Sequence, residues 1–202
     1  MDTSLFYSFI VPNQNYGLEI DYDEYMHTYV FVMNSTINPY MFSNCENKNA
    51  EDMAAWANNA YISGWGYMSG YIGEKDSERR IRRCDNAGLM IGYLNYDPDS
   101  KAFTEEYNTL TYTEQGDITT MPEVAGIGLY DGIKHGIYIG LGEVVFCDET
   151  VGYVTKQTVS DGAWTSWCTY EGIEYPQAVL DAIDEIDAPD DSSEDDSDES
   201  EE

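Results

Sequence analysis

Few residues in this chain carry side chains that enzymes use as nucleophiles, bases or metal ligands. The 202 residues include four cysteines and two histidines: Cys45, Cys84, Cys147, Cys168, His27 and His135. The cysteines form no Cys-x-x-Cys motif, and two histidines leave little for a zinc site or for general-base chemistry. We therefore expect free thiols in a reducing compartment, and we expect no metal and no cofactor.

Three stretches of the chain nevertheless follow one another in a familiar order. They are residues 49–73 (NAEDMAAWANNAYISGWGYMSGYIG), Asp85-Asn86-Ala87-Gly88-Leu89, and residues 134–145 (KHGIYIGLGEVV). Together they resemble the helix, aromatic loop, nucleophile turn and histidine strand of NlpC-type papain-like cysteine peptidases. Smaller pieces extend the resemblance over roughly residues 49–175: Tyr96–Ser100, Ile118–Tyr130 and Trp164–Trp167.

The resemblance implies that the catalytic positions of that family are replaced here. In such peptidases a helix N-terminus lowers the pKa of the cysteine, a strand histidine takes its proton, and a third polar group orients the histidine. The corresponding positions hold Asn86, Lys134 and, twelve residues further on, Phe146. An amide cannot become a nucleophile at neutral pH and an ammonium donates hydrogen bonds, so the resemblance implies a pseudoenzyme.

A shifted alignment would restore a cysteine and a histidine. Cys84 lies two positions before Asn86, and His135 lies one position after Lys134. The shift moves His135 to the opposite face of its strand and Cys84 into the segment before the helix. The alternative is that both residues are structural, and the sequence leaves both interpretations open.

Helix signals predict two helices ahead of the strand-rich half. Asn49 is a suitable N-cap for a helix over 50–62 that places Met53, Trp56, Ala57 and Ala60 toward the core. Asp85 is a suitable N-cap for a second helix over about 86–95.

Strand signals predict an antiparallel meander after residue 124. The predicted strands are 5–11, 28–33, 124–130, 135–140, 142–147, 151–158 and 165–170, and a short acidic helix is predicted over 179–186. The fold class expected is α+β, papain-like in the NlpC manner, with two helices packed on the meander. We divide the chain into an N-terminal extension (1–48), an NlpC-like domain (49–180) and an acidic tail (181–202), disordered from about residue 189.

The charge of the chain is strongly negative throughout. The formal net charge is −30, and residues 181–202 hold 13 acidic residues and no basic ones. Residues 1–180 hold 26 acidic and 9 basic residues, so the predicted folded part is acidic without the tail. Such a field repels nucleic acid and anionic membranes and attracts basic partners. The arginines between Arg79 and Arg83 are expected to pair with nearby carboxylates such as Asp76, Glu78 and Asp85; the alternative is a basic patch that grips a phosphate.

The segment 19–25 alternates acidic with apolar or aromatic residues. It is either a solvated edge strand or loop, or a contact surface that mixes carboxylates with aromatic rings. The candidate partner-binding residues are Glu19, Asp21, Tyr22, Asp23, Glu24 and Tyr25.

Three functions fit these observations. The first is a phage or mobile-element protein that occludes a basic, nucleic-acid-binding host protein, in the manner of anti-CRISPR and other anti-defence inhibitors. The second is a phage structural or tail-associated protein, and the third is an NlpC-type peptidoglycan endopeptidase or cell-wall binder. The N-terminus lacks the basic segment of a signal peptide and no apolar run is long enough to span a membrane, so we expect a cytoplasmic location in the host cell.

Overall fold

The computed structural model describes residues 18–23, 28–33, 48–78, 81–97, 102–103 and 109–188. In these ranges the chain forms α-helices packed on a large β-sheet, which confirms the predicted α+β class. The helices are α1 (Ala50–Ile62), α2 (Asn86–Leu94) and α3 (Gln177–Asp187). The strands are β1 (Leu18–Asp23), β2 (Thr28–Met33), β3 (Gly66–Tyr67), β4 (Ile72–Lys75), β5 (Arg82–Cys84), β6 (Tyr96–Asp97), β7 (Ala102–Phe103), β8 (Tyr112–Asp117), β9 (Gly128–Tyr130), β10 (His135–Gly140), β11 (Glu143–Asp148), β12 (Tyr153–Thr158) and β13 (Ser166–Tyr170).

Nine strands form one sheet in the order β4-β5-β3-β12-β11-β10-β9-β13-β8. Strands β9 to β12 are consecutive antiparallel neighbours, which confirms that part of the predicted meander. The last predicted strand, β13, does not continue the meander, because it pairs with β9 and β8 and not with β12. One end of the sheet differs from the prediction, because β3 and β5 pair in parallel. Strands β4 and β5, at the two ends of the charged segment 74–83, are also absent from the predicted strands. The charged residues of this segment hide the strand pattern, and the pairing of β5 with β3 depends on a partner outside the segment.

Helix α1 begins and ends where the sequence predicts. The Asn49 side chain accepts a hydrogen bond from the Asp52 N–H at 2.9 Å, which satisfies one of the free donors of the first turn. Gly64 follows the helix with a φ of 64°, a conformation that glycine adopts without strain. Met53 and Trp56 are fully buried, so the predicted face of the helix does meet the core.

Helix α2 lies unusually close to the backbone that follows the aromatic loop. A Cβ atom at Gly88 would collide with the carbonyl oxygen of Tyr71, and one at Gly92 would collide with that of Ile72. Asp85 caps the helix by accepting from the Gly88 N–H at 2.6 Å. The two glycines therefore set how deeply the N-terminus of α2 sits against the sheet.

The sheet carries a hydrophobic core on each face. Consecutive residues of β10 and β11 belong alternately to the two cores, because successive side chains of a strand point to opposite faces of the sheet. The helix-side core packs α1 and α2 against the sheet and includes Trp56, Tyr93, Ile137 and Val145. The far-side core, partly covered by α3, consists of Ile127, Leu129, Tyr138, Val144, Phe146, Trp164, Trp167 and Val179.

Strands β1 and β2 form a separate antiparallel pair in the register Leu18↔Met33 to Asp23↔Thr28. The predicted strand 28–33 is confirmed, and Glu19–Asp23 lies in β1. The predicted strand 5–11, the residues Glu24 and Tyr25 and the tail beyond residue 188 lie outside the described residues. Among the described helices, none has both the length and the apolar character needed to cross a bilayer.

Candidate functional site

A cleft of about 510 Å³ opens where α2 begins against the ends of β10 and β11. It is the place where the nucleophile and histidine positions of the sequence resemblance meet, because Asn86 and Lys134 both line it. The other lining residues are Tyr67, Asp85, Ala87, Ile133, His135, Cys147, Asp148, Glu149 and Thr150. The cleft presents polar and apolar surface in equal measure, and its chemistry depends on what its charged and amide groups bind.

The Asn86 side chain is occupied by the sheet. Its Nδ2 donates to the carbonyl oxygens of His135 at 2.8 Å and Cys147 at 3.2 Å, and its Oδ1 accepts from the His135 N–H at 2.8 Å. Backbone pairing between β10 and β11 runs from Ile137↔Val145 to the hairpin turn. The Asn86 amide forms its hydrogen bonds with both strands just beyond the Ile137↔Val145 pair. Both N–H groups of the amide and its oxygen are engaged, so Asn86 crosslinks α2 to two strands.

Asp85 fixes the segment that leads into this crosslink. One carboxylate oxygen accepts from the Gly88 N–H at the start of α2, and the other accepts from the Gly70 N–H at 2.7 Å. The aromatic loop and the helix N-terminus are therefore tied to one side chain, which positions Asn86 above the strands.

Lys134 is held by an anionic partner and an aromatic ring. Its ammonium lies 3.2 Å from Asp148 Oδ2 and 5.2 Å from the centroid of the Phe146 ring. Burial raises the pKa of Asp148, but hydrogen bonds from the Val151 N–H, the Lys134 ammonium and the Thr150 N–H outweigh it and bring the pKa below its usual value. Lys134 and Phe146 thus lie together, as the resemblance implies, and they form a salt-bridged cation–aromatic contact.

Asp148 is a residue of this site that the sequence analysis missed. It lies two positions after Phe146 on β11, so it shares the face of Phe146 and Lys134. The sequence does contain a signal for Asp148. Side chains two residues apart on a strand point to the same face, so a carboxylate two residues after Phe146 lies on the face where Lys134 is expected. Its hydrogen bonds to the following turn come from local chain geometry.

His135 lies on the helix-side face, among aromatic rings. Its ring stacks on Tyr130 at a centroid distance of 4.6 Å and meets the edge of Tyr112 at 4.3 Å. The Tyr170 hydroxyl lies 3.3 Å from Nδ1, and Cys168 Sγ lies 3.9 Å from it. Burial lowers the pKa of His135 to about 4, so the ring is neutral at neutral pH.

The cysteines nearby, Cys84, Cys147 and Cys168, are buried. Cys147 Sγ donates to the Cys84 carbonyl oxygen at 3.1 Å. Burial raises the pKa of Cys84 well above its ordinary value and raises that of Cys168 to about 12. Cys84 therefore contacts Cys147, while His135 contacts Cys168 and Tyr170, and the shifted Cys84–His135 pair is not formed.

The arginine cluster, the candidate partner-binding residues and possible metal ligands were also considered in the sequence. Arg83 Nε and Asp76 Oδ2 form a 2.8 Å ion pair, which confirms that part of the arginine cluster pairs locally, while Arg79 and Arg80 lie outside the described residues. The candidate partner-binding residues Glu19 to Asp23 lie in β1, which pairs with β2 in a sheet separate from the nine-stranded one. Within the described ranges, no group of three or more His, Cys, Asp or Glu residues is arranged to hold a metal ion.

Comparison with known proteins gives similarity in fold at low sequence identity. No protein-family model matches the chain, and no curated protein matches it significantly. The structure of NlpC2 from Trichomonas vaginalis is similar with a TM-score of 0.40 and 15% identity, over 60% of this chain and 45% of that one. NlpC1 from the same organism gives 0.38 and 17%, over 59% and 42%. The chain thus spans less than half the length of either protein, and the likeness concerns the fold alone.

Proposed function

We propose that this chain is an NlpC-like scaffold without peptidase activity that acts by binding another protein. The observation that carries the proposal is the state of Asn86, whose amide is fully used in holding β10 and β11 to α2. A residue committed in this way supplies neither a nucleophile nor a proton acceptor. The neutral, buried thiols of Cys84 and Cys168 support the same proposal, because the thiolate is the reactive form of cysteine.

The charge of the folded part supports a basic partner. Residues 109–188 contain 14 acidic residues and two lysines, Lys134 and Lys156. Both lysines are already in ion pairs, with Asp148 and Glu143. Most carboxylates of residues 109–188 therefore have no lysine within this range to pair with. They give the surface a negative field that attracts basic proteins.

The partner we propose is a basic, nucleic-acid-binding protein of the host cell. Carboxylates arrayed on a folded surface imitate the phosphates that such a protein binds, so occupying its basic surface blocks nucleic acid. This role is that of an anti-defence inhibitor encoded by a phage or mobile element and acting in the host cytoplasm. The acidic segment Glu19–Tyr25 is the contact surface proposed from the sequence.

Catalysis and binding are tested separately. Purified full-length chain incubated with peptidoglycan should release no stem-peptide products detectable by mass spectrometry. Products that disappear in Cys84→Ala would contradict the proposal and would revive the shifted cysteine pair.

Binding is tested by capture of host proteins on the immobilised chain at low and high salt. The captured protein should be basic, should elute as salt rises because screening weakens the attraction, and should lose nucleic-acid binding when the chain is added. Charge reversal at Asp21 and Asp23 should weaken capture more than removal of residues 189–202. Capture that is indifferent to salt would sink the proposal, and capture of tail or cell-wall proteins would favour the alternatives.

A further inference from the structure

A second concave surface lies on the far side of the sheet, away from the Asn86 cleft. It has a volume of about 490 Å³. Its walls are mainly apolar, and we call it the Trp164 groove: Ile118, Met121, Tyr138, Val159, Gly162 and Trp164. Ile118, Met121 and Val159 pack against the far-side core but are only partly buried, so the groove is a place where this core is incompletely covered.

The groove contains a polar group that the fold does not satisfy. Trp164 is 7% exposed, and its indole Nε1 has no hydrogen-bond partner among the described residues. The neighbouring Trp167 differs, because its Nε1 donates to Thr120 Oγ1 at 3.0 Å. A buried donor left without an acceptor is unfavourable and is uncommon in native proteins. The Trp164 N–H is therefore a buried donor without an acceptor among the described residues, on a side chain that lines the groove.

Gly162 packs directly against this donor. A Cβ atom at position 162 would overlap Trp164 Nε1 and Gln157 Nε2, so any larger residue would displace the indole or the amide. The φ of Gly162 is −92°, which other residues adopt readily, so backbone conformation does not explain the glycine. Close packing of these two side chains is the physical requirement at this position.

An exposed leucine lies on the β10–β11 turn next to the groove. Leu141 is 98% exposed and has a φ of 54°, between Gly140 and Gly142, which have φ values of 92° and 74°. Leucine rarely adopts this left-handed conformation, because its Cβ crowds the backbone. Gly142 lines the groove, and its carbonyl accepts from the Val159 N–H at 2.8 Å. The turn thus presents a full apolar side chain at the rim.

The charges at the rim are acidic. Glu123 lines the groove and is exposed, and Asp161 is exposed on the 3₁₀ turn Val159–Asp161 that forms one wall. Lys156 is held by Glu143 at 2.8 Å. Charge complementarity therefore favours an occupant with positive groups on either side of an apolar one.

We infer that the Trp164 groove binds an extended segment of a basic partner protein. An apolar side chain of that segment occupies the groove, a backbone carbonyl accepts from Trp164 Nε1, and flanking Lys or Arg side chains meet Glu123 and Asp161. Leu141 packs against the segment from the rim. The inference rests on the proposed function for the positive charge of the partner, and it adds the anchoring site.

Two other occupants fit the charge less well. Residues 1–47 of this chain contain no Lys or Arg, so they offer the acidic rim no positive group. A second copy of the chain brings another net charge of −30 and is repelled. The complementary molecule is a cationic segment of a different protein.

The test uses the full chain labelled with ¹⁵N and a mixture of short acetylated peptides. Each peptide has a central leucine or phenylalanine flanked on both sides by lysine or arginine. Matched mixtures carry glutamate at the flanks or glycine at the centre. The four tryptophans give four indole N–H signals, and Trp164→Phe identifies that of Trp164. The basic, apolar-centred mixture should move the Trp164 signal most, and the two control mixtures should leave it in place.

Three variants locate the binding. Trp164→Phe keeps the ring and removes the N–H, so affinity should fall about fivefold, the change expected for one hydrogen bond. Leu141→Asn should also weaken binding, since asparagine tolerates the left-handed conformation but lacks the apolar surface. Val151→Asn is the matched control, because Val151 is another exposed apolar residue in a hairpin turn. Its binding should match that of the unchanged chain.

The possible failures are distinguishable. If the basic peptides bind while the Trp164 signal and the Trp164→Phe and Leu141→Asn affinities stay unchanged, the groove assignment is overturned and the basic-partner proposal stands. If glutamate-flanked peptides bind equally well, the charge argument for the groove is wrong. If no basic peptide binds, both the groove and the proposed function lose their support. Unchanged amide spectra of the free variants show that each one is folded.

Discussion

The two faces of the nine-stranded sheet differ in how completely they are covered. On the helix-side face, Trp56 is fully buried among aromatic rings, with Trp65 at 5.3 Å and Tyr93 at 5.9 Å. On the far-side face, Trp164 meets Phe146 at 5.4 Å and lines an open groove. Trp65 and Trp164 each keep a buried indole N–H without a partner among the described residues, so the groove and not the N–H distinguishes the two faces. The helix-side face is therefore closed by packed aromatic rings, and the far-side face leaves part of its core open to a groove.

The helix over each face shows the same difference. Helix α1 buries Ala50, Met53, Trp56, Ala57 and Ala60. Helix α3 fully buries only Val179 and leaves Leu180 and Ile186 exposed at 44% and 40%. Burial of apolar area is the main stabilising contribution in folding, so the helix-side core should carry most of the stability.

The largest effect should come from removing a tryptophan of the helix-side core. Trp56→Ala should cost about 4 kcal/mol in the free energy of unfolding, because it leaves a closed cavity. Trp164→Ala should cost about 2 kcal/mol, because its site already opens into a groove. Urea denaturation followed by circular dichroism measures both. Trp56→Phe serves if the alanine variant does not fold, and equal losses at the two tryptophans would remove the distinction between the faces.

The next effect concerns the crosslink at Asn86. Asn86→Ala should destabilise the fold by about 2 to 3 kcal/mol, because the His135 N–H and two carbonyl oxygens lose their partners. Asn86→Asp, which keeps the oxygen but removes both donors, should also destabilise it. Lys75→Ala, at an exposed position at the end of β4, serves as a control, with a change within about 0.5 kcal/mol. An Asn86→Ala chain as stable as the unchanged chain would mean that the crosslink is dispensable.

The pH dependence of stability should report the burial of His135. Its folded pKa of about 4 lies below the ordinary histidine value of 6.5, so the unfolded chain binds the proton more readily. The stabilisation is present above pH 6.5 and is lost as the pH falls toward 4. After allowance for solvent screening, about 1 kcal/mol should disappear between about pH 7 and 5.

Two histidine variants check this assignment by urea unfolding at both pH values. His135→Gln should remove that part of the pH dependence, and His27→Gln should leave it unchanged. Equal pH profiles for the original chain and His135→Gln would show that the ring is not buried in the neutral form.

The smallest effect should follow removal of residues 189–202. This segment carries 9 acidic residues and no apolar cluster, so deleting it relieves repulsion without removing core contacts. The free energy of unfolding should change by less than about 1 kcal/mol, measured by thermal and urea unfolding. A larger loss would show that the tail packs on one of the two faces.

Local signals explain which parts of the fold were predictable. The caps Asn49 and Asp85 and the apolar spacing of α1 act within a few residues, so both helices were predicted within a residue at each end. The glycine-punctuated hairpins from β9 to β12 were predictable for the same reason. Strands β4, β5 and β8 were missed because each is short or polar and exists through pairing with a distant strand.

The candidate site was predictable in its positions but not in its contacts. The resemblance assigned Asn86, Lys134 and Phe146 to one site. In the structure Asn86 and Lys134 line the same cleft, and the Lys134 ammonium lies over the Phe146 ring. The bonds of Asn86 reach residues 49 and 61 positions away, and no local pattern specifies them. The partners of His135 likewise come from β8, β9 and β13, whose neighbouring order in the sheet is a property of the whole fold.

The hydrogen bonds of Asn86 have an evolutionary consequence. A side-chain amide has the same donor and acceptor groups as a peptide bond. Asn86 therefore pairs with the backbone of β10 and β11 as a residue of a neighbouring strand would. A mutation to cysteine at this position would introduce a thiol and at once leave three backbone groups without these partners. Gaining a nucleophile here by one substitution therefore has a cost in folding, which favours keeping the asparagine.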